Sequence, residues 1–232
     1  MNTATQTRPP RHPAKYSDAL LMHLLNAAEG YERILDPFAG TGKIGALKAL
    51  GHIGSIHAND LEKEWLAPNL HGCDVVTFQD AEFLDYPPEY FDAIVTSPTY
   101  GNRMADHHKA KDGSRRVTYT HCLGRPLHPE NTGAMHFGDR YCDKHARIYA
   151  HLNQLLRPGG RWVVNVSNFI RAGVEVDVVS WTEKTLNALG LQTVEIIAVK
   201  TPRMGFGANA EKRVDHEHII ILQKPEADDW MK

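Results

Sequence analysis

Short apolar segments that favour β-strands alternate with helix-like segments along most of the chain. The strand-like segments are rich in branched and aromatic residues, and turn-forming or polar residues follow most of them. They cover residues 34–35, 53–58, 74–78, 91–95, 161–166, 193–200 and 218–222. Strands that alternate with helices usually pair in parallel, with helices on both faces of the sheet. The sequence therefore predicts an α/β fold built on a seven-stranded, mostly parallel sheet.

Helical periodicity appears between these strands. Ser17 is predicted as the N-cap of a helix whose leucines recur at helical spacing up to Gly30. Further helices are predicted over residues 43–50, 139–156 and 178–189. Residues 101–138 show no sustained period, which predicts an inserted loop region. The predicted organisation is an N-terminal arm over residues 1–16 and a single domain over residues 17–232 that contains this insertion.

Composition narrows the class of protein. The chain has 232 residues, of which 42% are hydrophobic and 23% charged, enough for one full hydrophobic core. No run approaches the roughly 20 apolar residues of a membrane helix, and the polar, proline-containing start differs from a secretory signal. Three cysteines, odd in number and far apart, argue against a disulfide framework. We therefore expect a cytoplasmic protein with no membrane partner.

Charge is unevenly distributed along the chain. The whole sequence carries a net charge of −2. Residues 101–147 nevertheless contain nine Lys or Arg against five Asp or Glu, a local charge of +4. Such an excess predicts one basic face, which would suit an anionic partner such as a nucleic acid.

A glycine-containing loop over residues 36–42 follows the first predicted strand. Its glycines match the dinucleotide-binding fingerprint, and Asp60 lies 18 residues after Gly42, near the position of a ribose-binding acid. The anionic Asp36 is poorly placed beside a pyrophosphate and favours a ligand with a cationic amine. S-adenosylmethionine has an α-amino group and no phosphate, so its methionine part could lie against Asp36 while the glycines allow close approach.

A second motif, Ser97-Pro98-Thr99-Tyr100, follows the fourth predicted strand. In open α/β sheets the ends of neighbouring strands form the ligand-binding crevice. The motif resembles the catalytic turn of amino-methyltransferases. The resemblance implies that oxygen atoms of Ser97 and of the Pro98 carbonyl accept hydrogen bonds from the two N–H groups of an exocyclic amine, and that Tyr100 stacks on the base. A base in a duplex would have to be flipped out to reach such a pocket.

The two motifs resemble motifs I and IV of class I S-adenosylmethionine-dependent methyltransferases, in the form found in DNA amino-methyltransferases. The resemblance covers most of the chain, although Thr99 stands where the family has a second proline. It implies a Rossmann-like sheet with an antiparallel last strand, S-adenosyl-L-methionine as cofactor, and methylation of N4 of cytosine or N6 of adenine. The implied catalytic residues are Ser97, Pro98 and Tyr100. The implied cofactor-binding residues are Asp36, Phe38, Gly40, Gly42, Asp60, Asp80 and Lys15.

Residues after the second motif are predicted to recognise the target. The substrate-binding residues proposed for this role are Asn102, Arg103, Arg115 and Arg116. Residues 202–209, between the last two strands, are placed on the same side. We expect no metal site, because Cys142 and His145, the tightest pair of candidate ligands, fall within a predicted helix.

Three alternatives stay open at the level of sequence. The polymer could be RNA, because the same catalytic motif serves RNA base methylation. A NAD-dependent oxidoreductase would keep the glycine loop but would leave residues 97–100 without a role. A non-catalytic nucleic-acid-binding module would keep the fold and lose the chemistry. DNA methylation, in restriction–modification for example, is the preferred interpretation, and a DNA partner is expected.

Overall fold

The computed structural model describes residues 17–66, 72–101, 118–201 and 214–227. Its strands are β1 (Arg33–Asp36), β2 (Ser55–Asn59), β3 (Val75–Thr77), β4 (Phe91–Thr96), β5 (Leu156–Val166), β6 (Phe169–Arg171), β7 (Val174–Val176), β8 (Gln192–Lys200) and β9 (His216–Gln223). Its α-helices are α1 (Asp18–Ala27), α2 (Ala46–Ala49), α3 (Lys63–Leu66), α4 (Tyr119–Leu123), α5 (Asp139–Leu155) and α6 (Val178–Ala188). Short 3-10 helices cover Lys43–Gly45, Ala81–Phe83 and Thr132–Ala134.

Seven of these strands form one sheet in the order β3-β2-β1-β4-β5-β9-β8. The pairs from β3 to β5 are parallel, and β9 runs antiparallel to both of its neighbours. The predicted fold class, including the antiparallel last strand, is confirmed. The strand order reverses direction between β1 and β4, so the carboxyl ends of these two strands border the crevice where open α/β sheets bind ligands.

Both faces of the sheet are covered by apolar side chains. The leucines of α1 pack on one face, among them Leu20 and Leu24, together with Ile34 of β1. Leu152 and Leu186, from α5 and α6, pack on the other face. Each fully buried side chain of this size contributes about 1.5–3 kcal/mol to folding, so the sheet is a rigid platform for the loops at its carboxyl edge. None of the described helices is long and apolar enough to cross a lipid bilayer.

Most predicted boundaries agree with the structure to within one or two residues. The side chain of Ser17 accepts a hydrogen bond from the amide of Leu20 and caps α1 as predicted. The hairpin of β6 and β7 was not predicted, nor were the short helices α3 and α4. Strand β5 also begins at Leu156, five residues earlier than predicted, because Leu156 pairs with Phe91 before the register shifts.

Candidate active site

The glycine loop joins β1 to the first 3-10 helix at the carboxyl edge of the sheet. Gly40 and Gly42 have φ angles of 54° and 70°, in the left-handed region that glycine adopts without strain. Asp36 ends β1 and is fully buried. Its carboxylate accepts a hydrogen bond from the amide of Phe38 at 3.1 Å, which folds the start of the loop back onto the strand.

Asp60 follows β2 and meets the same loop. Its two carboxylate oxygens accept hydrogen bonds from the amides of Gly40 and Glu62, both at 2.8 Å. Burial raises the pKa of Asp60 to about 7, against these two hydrogen bonds, and the nearby charges of Glu62 and Asp36 raise it further. Additional hydrogen-bond donors, such as ribose hydroxyls, would favour the ionised form of Asp60.

Phe38 packs against α5 in the described structure. Its ring centroid lies 5.5 Å from that of His145, which is fully buried. Burial lowers the pKa of His145 to about 3, so the imidazole is neutral. Neither ring nitrogen has a hydrogen-bond partner among the described residues. His145 therefore acts as an aromatic packing residue behind the glycine loop. In the part of the chain that the structure describes, no three potential metal ligands cluster.

The second motif lies directly beside the first. Thr96, the last residue of β4, donates a hydrogen bond from its hydroxyl to the carboxylate of Asp36 at 2.7 Å. The next residue, Ser97, has its Oγ 3.2 Å from the hydroxyl of Tyr100. The structure therefore brings Asp36 and the pair Ser97–Tyr100 to one crevice, as the sequence predicted, and it places them on directly neighbouring strands.

Thr99 is held in place by contacts outside the motif. Its hydroxyl lies 2.9 Å from the hydroxyl of Thr132, in the 3-10 helix Thr132–Ala134. Its backbone carbonyl accepts a hydrogen bond from the hydroxyl of Tyr141 on α5. A second proline would restrict this turn through its fixed φ angle. Here two hydroxyl groups from other elements restrain the turn instead.

Gly101 completes the turn and depends on the unpredicted hairpin. Its φ angle is +67°, and a Cβ atom at this position would lie 2.6 Å from the amide nitrogen of Phe137. The guanidinium of Arg171, at the end of β6, donates to the carbonyls of both Gly101 and Phe137, at 3.0 Å and 2.9 Å. The hairpin therefore fixes the chain where it leaves the second motif.

Asp80, one of the predicted cofactor-binding residues, takes part in a partly buried ion-pair cluster. Its carboxylate caps the 3-10 helix Ala81–Phe83 by accepting from the amide of Glu82 at 3.0 Å. Lys144 of α5, almost completely buried, lies 2.7 Å from both the Asp80 and Glu82 carboxylates. Because each carboxylate oxygen has two lone pairs, Asp80 keeps capacity for a further donor. No local pattern in the sequence pointed to Lys144, which is 64 residues away.

Glu62, near the end of β2, forms hydrogen bonds and a salt bridge with residues of the predicted insertion. Its buried carboxylate accepts hydrogen bonds from the amide of His128 at 2.7 Å and from Asn131 at 3.0 Å. Arg125 bridges Glu62 and Glu64 with distances of 2.7 Å and 2.6 Å. The described part of the predicted insertion is therefore anchored beside Asp60, and through Thr132 beside Thr99.

Asn165 is a polar residue of the crevice that sequence reasoning missed. It lies near the end of β5 and is buried. Its Nδ2 lies 3.3 Å from Ser97 Oγ, 3.2 Å from the Tyr100 hydroxyl and 2.8 Å from Glu217 Oε2 on β9. A polar residue in an apolar strand was its only sequence signal.

Several predicted residues lie outside the described ranges. These are Lys15, Asn102, Arg103, Arg115, Arg116 and the segment 202–209. Their assignments stay predictions.

No family model and no curated protein matches the sequence. Solved structures do share its fold. The 1,6-didemethyltoxoflavin-N1-methyltransferase of Burkholderia thailandensis, bound to S-adenosylhomocysteine, is 20% identical with a TM-score of 0.54, over 89% of this chain and 77% of that one. A SAM-dependent methyltransferase of Methanosarcina mazei is 12% identical with a TM-score of 0.57, over 92% and 100%. The cyclase SpnF is 14% identical with a TM-score of 0.56, over 96% and 86%. The chain thus has the fold of class I methyltransferases, a fold that also serves a cyclase.

Proposed function

We propose that this chain is an S-adenosylmethionine-dependent methyltransferase that acts on an exocyclic amino group of a nucleobase, with DNA as the preferred polymer. One contact carries the proposal, the 2.7 Å hydrogen bond from Thr96 to Asp36. It joins the strand end that opens the glycine loop to the strand end that opens the Ser97–Tyr100 turn. A cofactor amine at Asp36 and a target amine at Ser97 would then share one crevice.

The residues around the glycine loop fit S-adenosylmethionine better than a dinucleotide. Asp36 and Asp60 are both acidic, and Asp36 lies close enough for its charge to raise the pKa of Asp60. The Asp36 carboxylate at this loop would repel a pyrophosphate, whereas it suits an ammonium group. Asp60 suits ribose hydroxyls, which both kinds of cofactor carry. This arrangement argues against the NAD-dependent oxidoreductase.

The catalytic turn offers hydrogen-bond acceptors in the place where a target amine would enter. Bound S-adenosylmethionine would supply an electrophilic methyl group on its sulfonium sulfur. The thioether S-adenosylhomocysteine would leave, and the methylated amine would release one proton to solvent. Ser97 Oγ and the carbonyl of Pro98 would accept the two N–H bonds of the amine and direct its lone pair, and Tyr100 would stack on the base. Such a reaction depends mainly on positioning and on charge placement, which rigid strand ends provide.

The preference for a nucleobase rests on the motif and on the local charge. Ser-Pro-x-Tyr resembles the turn of amino-methyltransferases, and residues 101–147 carry a local charge of +4. Phosphate contacts from this region would supply affinity that falls with salt. RNA is the second candidate, because the same motif serves RNA base methylation.

The deciding experiment incubates the protein with labelled S-adenosylmethionine and duplex DNA, single-stranded DNA or RNA in parallel. We expect label in duplex DNA, with N4-methylcytosine or N6-methyladenine after nucleoside digestion. Label in RNA alone would replace DNA by RNA in the proposal. Absence of cofactor binding by calorimetry would overturn the central assignment. Full transfer by the double variant Ser97→Ala, Tyr100→Ala would overturn the catalytic one.

The predicted basic contacts have a separate test. We expect the double variant Arg115→Ala, Arg116→Ala to bind DNA more weakly. A plot of the logarithm of the association constant against the logarithm of the salt concentration should become shallower by about 2, because each lost phosphate contact reduces the steepness by about 1. Lys184→Ala is the matched control, because Lys184 is exposed on α6 and lies outside residues 101–147. Equal salt slopes for all three proteins would remove Arg115 and Arg116 from the proposed interface.

A further inference from the structure

Asn165 contacts both hydroxyl groups of the proposed catalytic turn from the neighbouring strand. Its amide nitrogen lies within 3.3 Å of Ser97 Oγ and within 3.2 Å of the Tyr100 hydroxyl. Only 1% of the residue is exposed. A buried amide in this place holds two side chains that the mechanism needs, and it belongs to neither sequence motif.

Glu217 sets the direction in which this amide points. A carboxylate only accepts hydrogen bonds, so the Nδ2 end of Asn165 must face Glu217 Oε2, at 2.8 Å. One N–H then points to Glu217, and the other is shared by the two hydroxyl oxygens. The Oδ1 atom of Asn165 is buried and has no hydrogen-bond partner among the described residues. A reversed amide would give Oδ1 two hydroxyl donors but would place it against the Glu217 carboxylate.

The fixed amide determines what the hydroxyl of Ser97 can do. A hydroxyl oxygen has two lone pairs and one proton. Either hydroxyl can donate in the 3.2 Å contact between Ser97 and Tyr100. When Ser97 donates and the Asn165 N–H occupies one lone pair of Ser97, the second lone pair of Ser97 is available. That lone pair is the acceptor that an N–H of the target amine requires. The Oδ1 atom of Asn165 stays without a partner among the described residues because the Nδ2 end of the same amide donates to Ser97 and Tyr100.

We propose that Asn165 is a positioning residue for amino-group methylation, and that Glu217 holds its amide with the N–H side toward Ser97 and Tyr100. This inference rests on the proposed function. Asn165 touches no reacting atom in this scheme. It acts through the two hydroxyl groups.

The charged and titratable groups around position 165 are few among the described residues. Glu217 of β9 and Tyr100 of the turn contact it directly. Asp36 of β1 lies beyond Thr96, and α1 presents Leu20, Leu21 and Leu24 to the face of the sheet that carries Val163 and Ile219. The two neighbours of Glu217 on β9 are His216 and His218. Lys200 lies opposite His216 in the register of β8 with β9.

The test replaces Asn165 by aspartate and measures the rate of single-turnover methyl transfer at saturating cofactor from pH 5.5 to pH 8. At each pH the rate of the variant is divided by the rate of the wild-type protein. At pH 8 an ionised carboxylate at position 165 lacks an N–H donor, so we expect Asn165→Asp to be about tenfold slower or worse. Two adjacent carboxyl groups share a proton, which raises the pKa of the pair. The ratio should therefore recover severalfold toward pH 5.5, where the shared proton restores a donor.

A second variant identifies the partner. In Asn165→Asp combined with Glu217→Gln, the glutamine amide can donate to the new carboxylate, so the acid recovery should disappear. Carbon-13 NMR of labelled aspartate measures the protonation of the same pair and does not depend on methyl transfer. The carboxyl at position 165 should titrate well above the ordinary value of about 3.9 when Glu217 is present, and it should titrate lower in the double variant. An unchanged titration would overturn the role of Glu217.

Asn153→Asp is the matched control. Asn153, on α5, also has a buried Oδ1 without a partner among the described residues, and it donates only to the carbonyl of Leu189. We expect a constant ratio to wild type across pH in this variant and unchanged cofactor affinity in all variants. Wild-type rates in Asn165→Asp at pH 8, or the same acid recovery in Asn153→Asp, would overturn the positioning role alone. Absence of transfer by the wild-type protein would overturn the proposed function together with it.

Discussion

At the scale of single residues, Asp60 shows how burial changes the meaning of a position that sequence identified. The spacing from Gly42 predicted an acid at the ribose, but its protonation depends on burial and on Glu62 and Asp36, which the sequence does not bring together. The folded pKa of about 7 lies above the ordinary 3.8, so the folded state binds more protons between these values. This carboxyl therefore contributes stability at low pH that is lost as the pH rises through 7.

Cofactor binding should release a proton near pH 7. Ribose hydroxyls that donate to Asp60 favour its ionised form and lower its pKa, so binding expels the proton. Calorimetric titrations at pH 7 in buffers of different ionisation enthalpy should give a release of about half a proton per site, from a group that is half protonated there. Asp60→Asn should abolish the release and weaken binding. Proton uptake in the wild-type protein would contradict the predicted contact.

Thr99 and Thr132 should act as a pair. Thr99→Val keeps the branched shape and removes the hydroxyl contact, at a cost of about 1 kcal/mol in the free energy of unfolding. We expect the same loss for Thr132→Val, and little further loss in the double variant, because both changes remove one interaction. Urea denaturation measures all three. Additive losses would show that the two hydroxyl groups are independent.

At the scale of elements, the sequence predicted all seven strands of the main sheet, including the short β1 and β3, and missed the hairpin of β6 and β7 and the helices α3 and α4. Strands β6 and β7 have three residues each, too few to show alternation. Helices α3 and α4 have four and five residues, and contacts such as that of Glu62 with residues 128 and 131 stabilise this region from outside. Such elements depend on tertiary contacts, so local propensity does not reveal them.

The hairpin should matter for activity through Arg171. In Arg171→Met the carbonyls of Gly101 and Phe137 lose their charged donor while the length of the side chain is kept. We expect about a tenfold loss of methyl transfer, because the exit of the catalytic turn moves, with cofactor affinity unchanged. Steady-state kinetics and calorimetry measure the two effects. A loss of cofactor affinity equal to the loss of rate would indicate general unfolding instead.

Helix α5 should depend on Lys144. Lys144→Met leaves the Asp80 and Glu82 carboxylates without their buried partner, and we expect a loss of about 3 kcal/mol in the free energy of unfolding. Arg147 and Lys144 both hold the pKa of Glu82 below its ordinary value, so the stability they provide is present at neutral pH and is lost in acid. The difference between Lys144→Met and wild type in urea should therefore shrink at low pH. A constant difference would contradict this assignment.

At the scale of the whole molecule, the sequence predicted the sheet and the crevice but not the connections that close it. The parallel direction of the strands follows from the alternation of elements, which places Asp36, Asp60 and Ser97 at one edge, whereas the order of the strands came from the structure. Asn165, Lys144 and Glu62 each contact a residue more than 60 positions away, which is Ser97, Asp80 and Asn131 respectively. Pairing over such distances depends on the finished fold, so a single sequence contains no local pattern for it.

The hydrogen bond from Thr96 to Asp36 connects the two halves of the crevice. We expect a ligand that changes the environment of Asp36 to affect the strand end that carries Ser97, and such a coupling is reciprocal by linkage. The affinity for S-adenosylhomocysteine should rise in the presence of a target oligonucleotide by the same factor by which the affinity for the oligonucleotide rises with S-adenosylhomocysteine. Thr96→Val should bring both factors toward one, so that each ligand binds as if the other were absent.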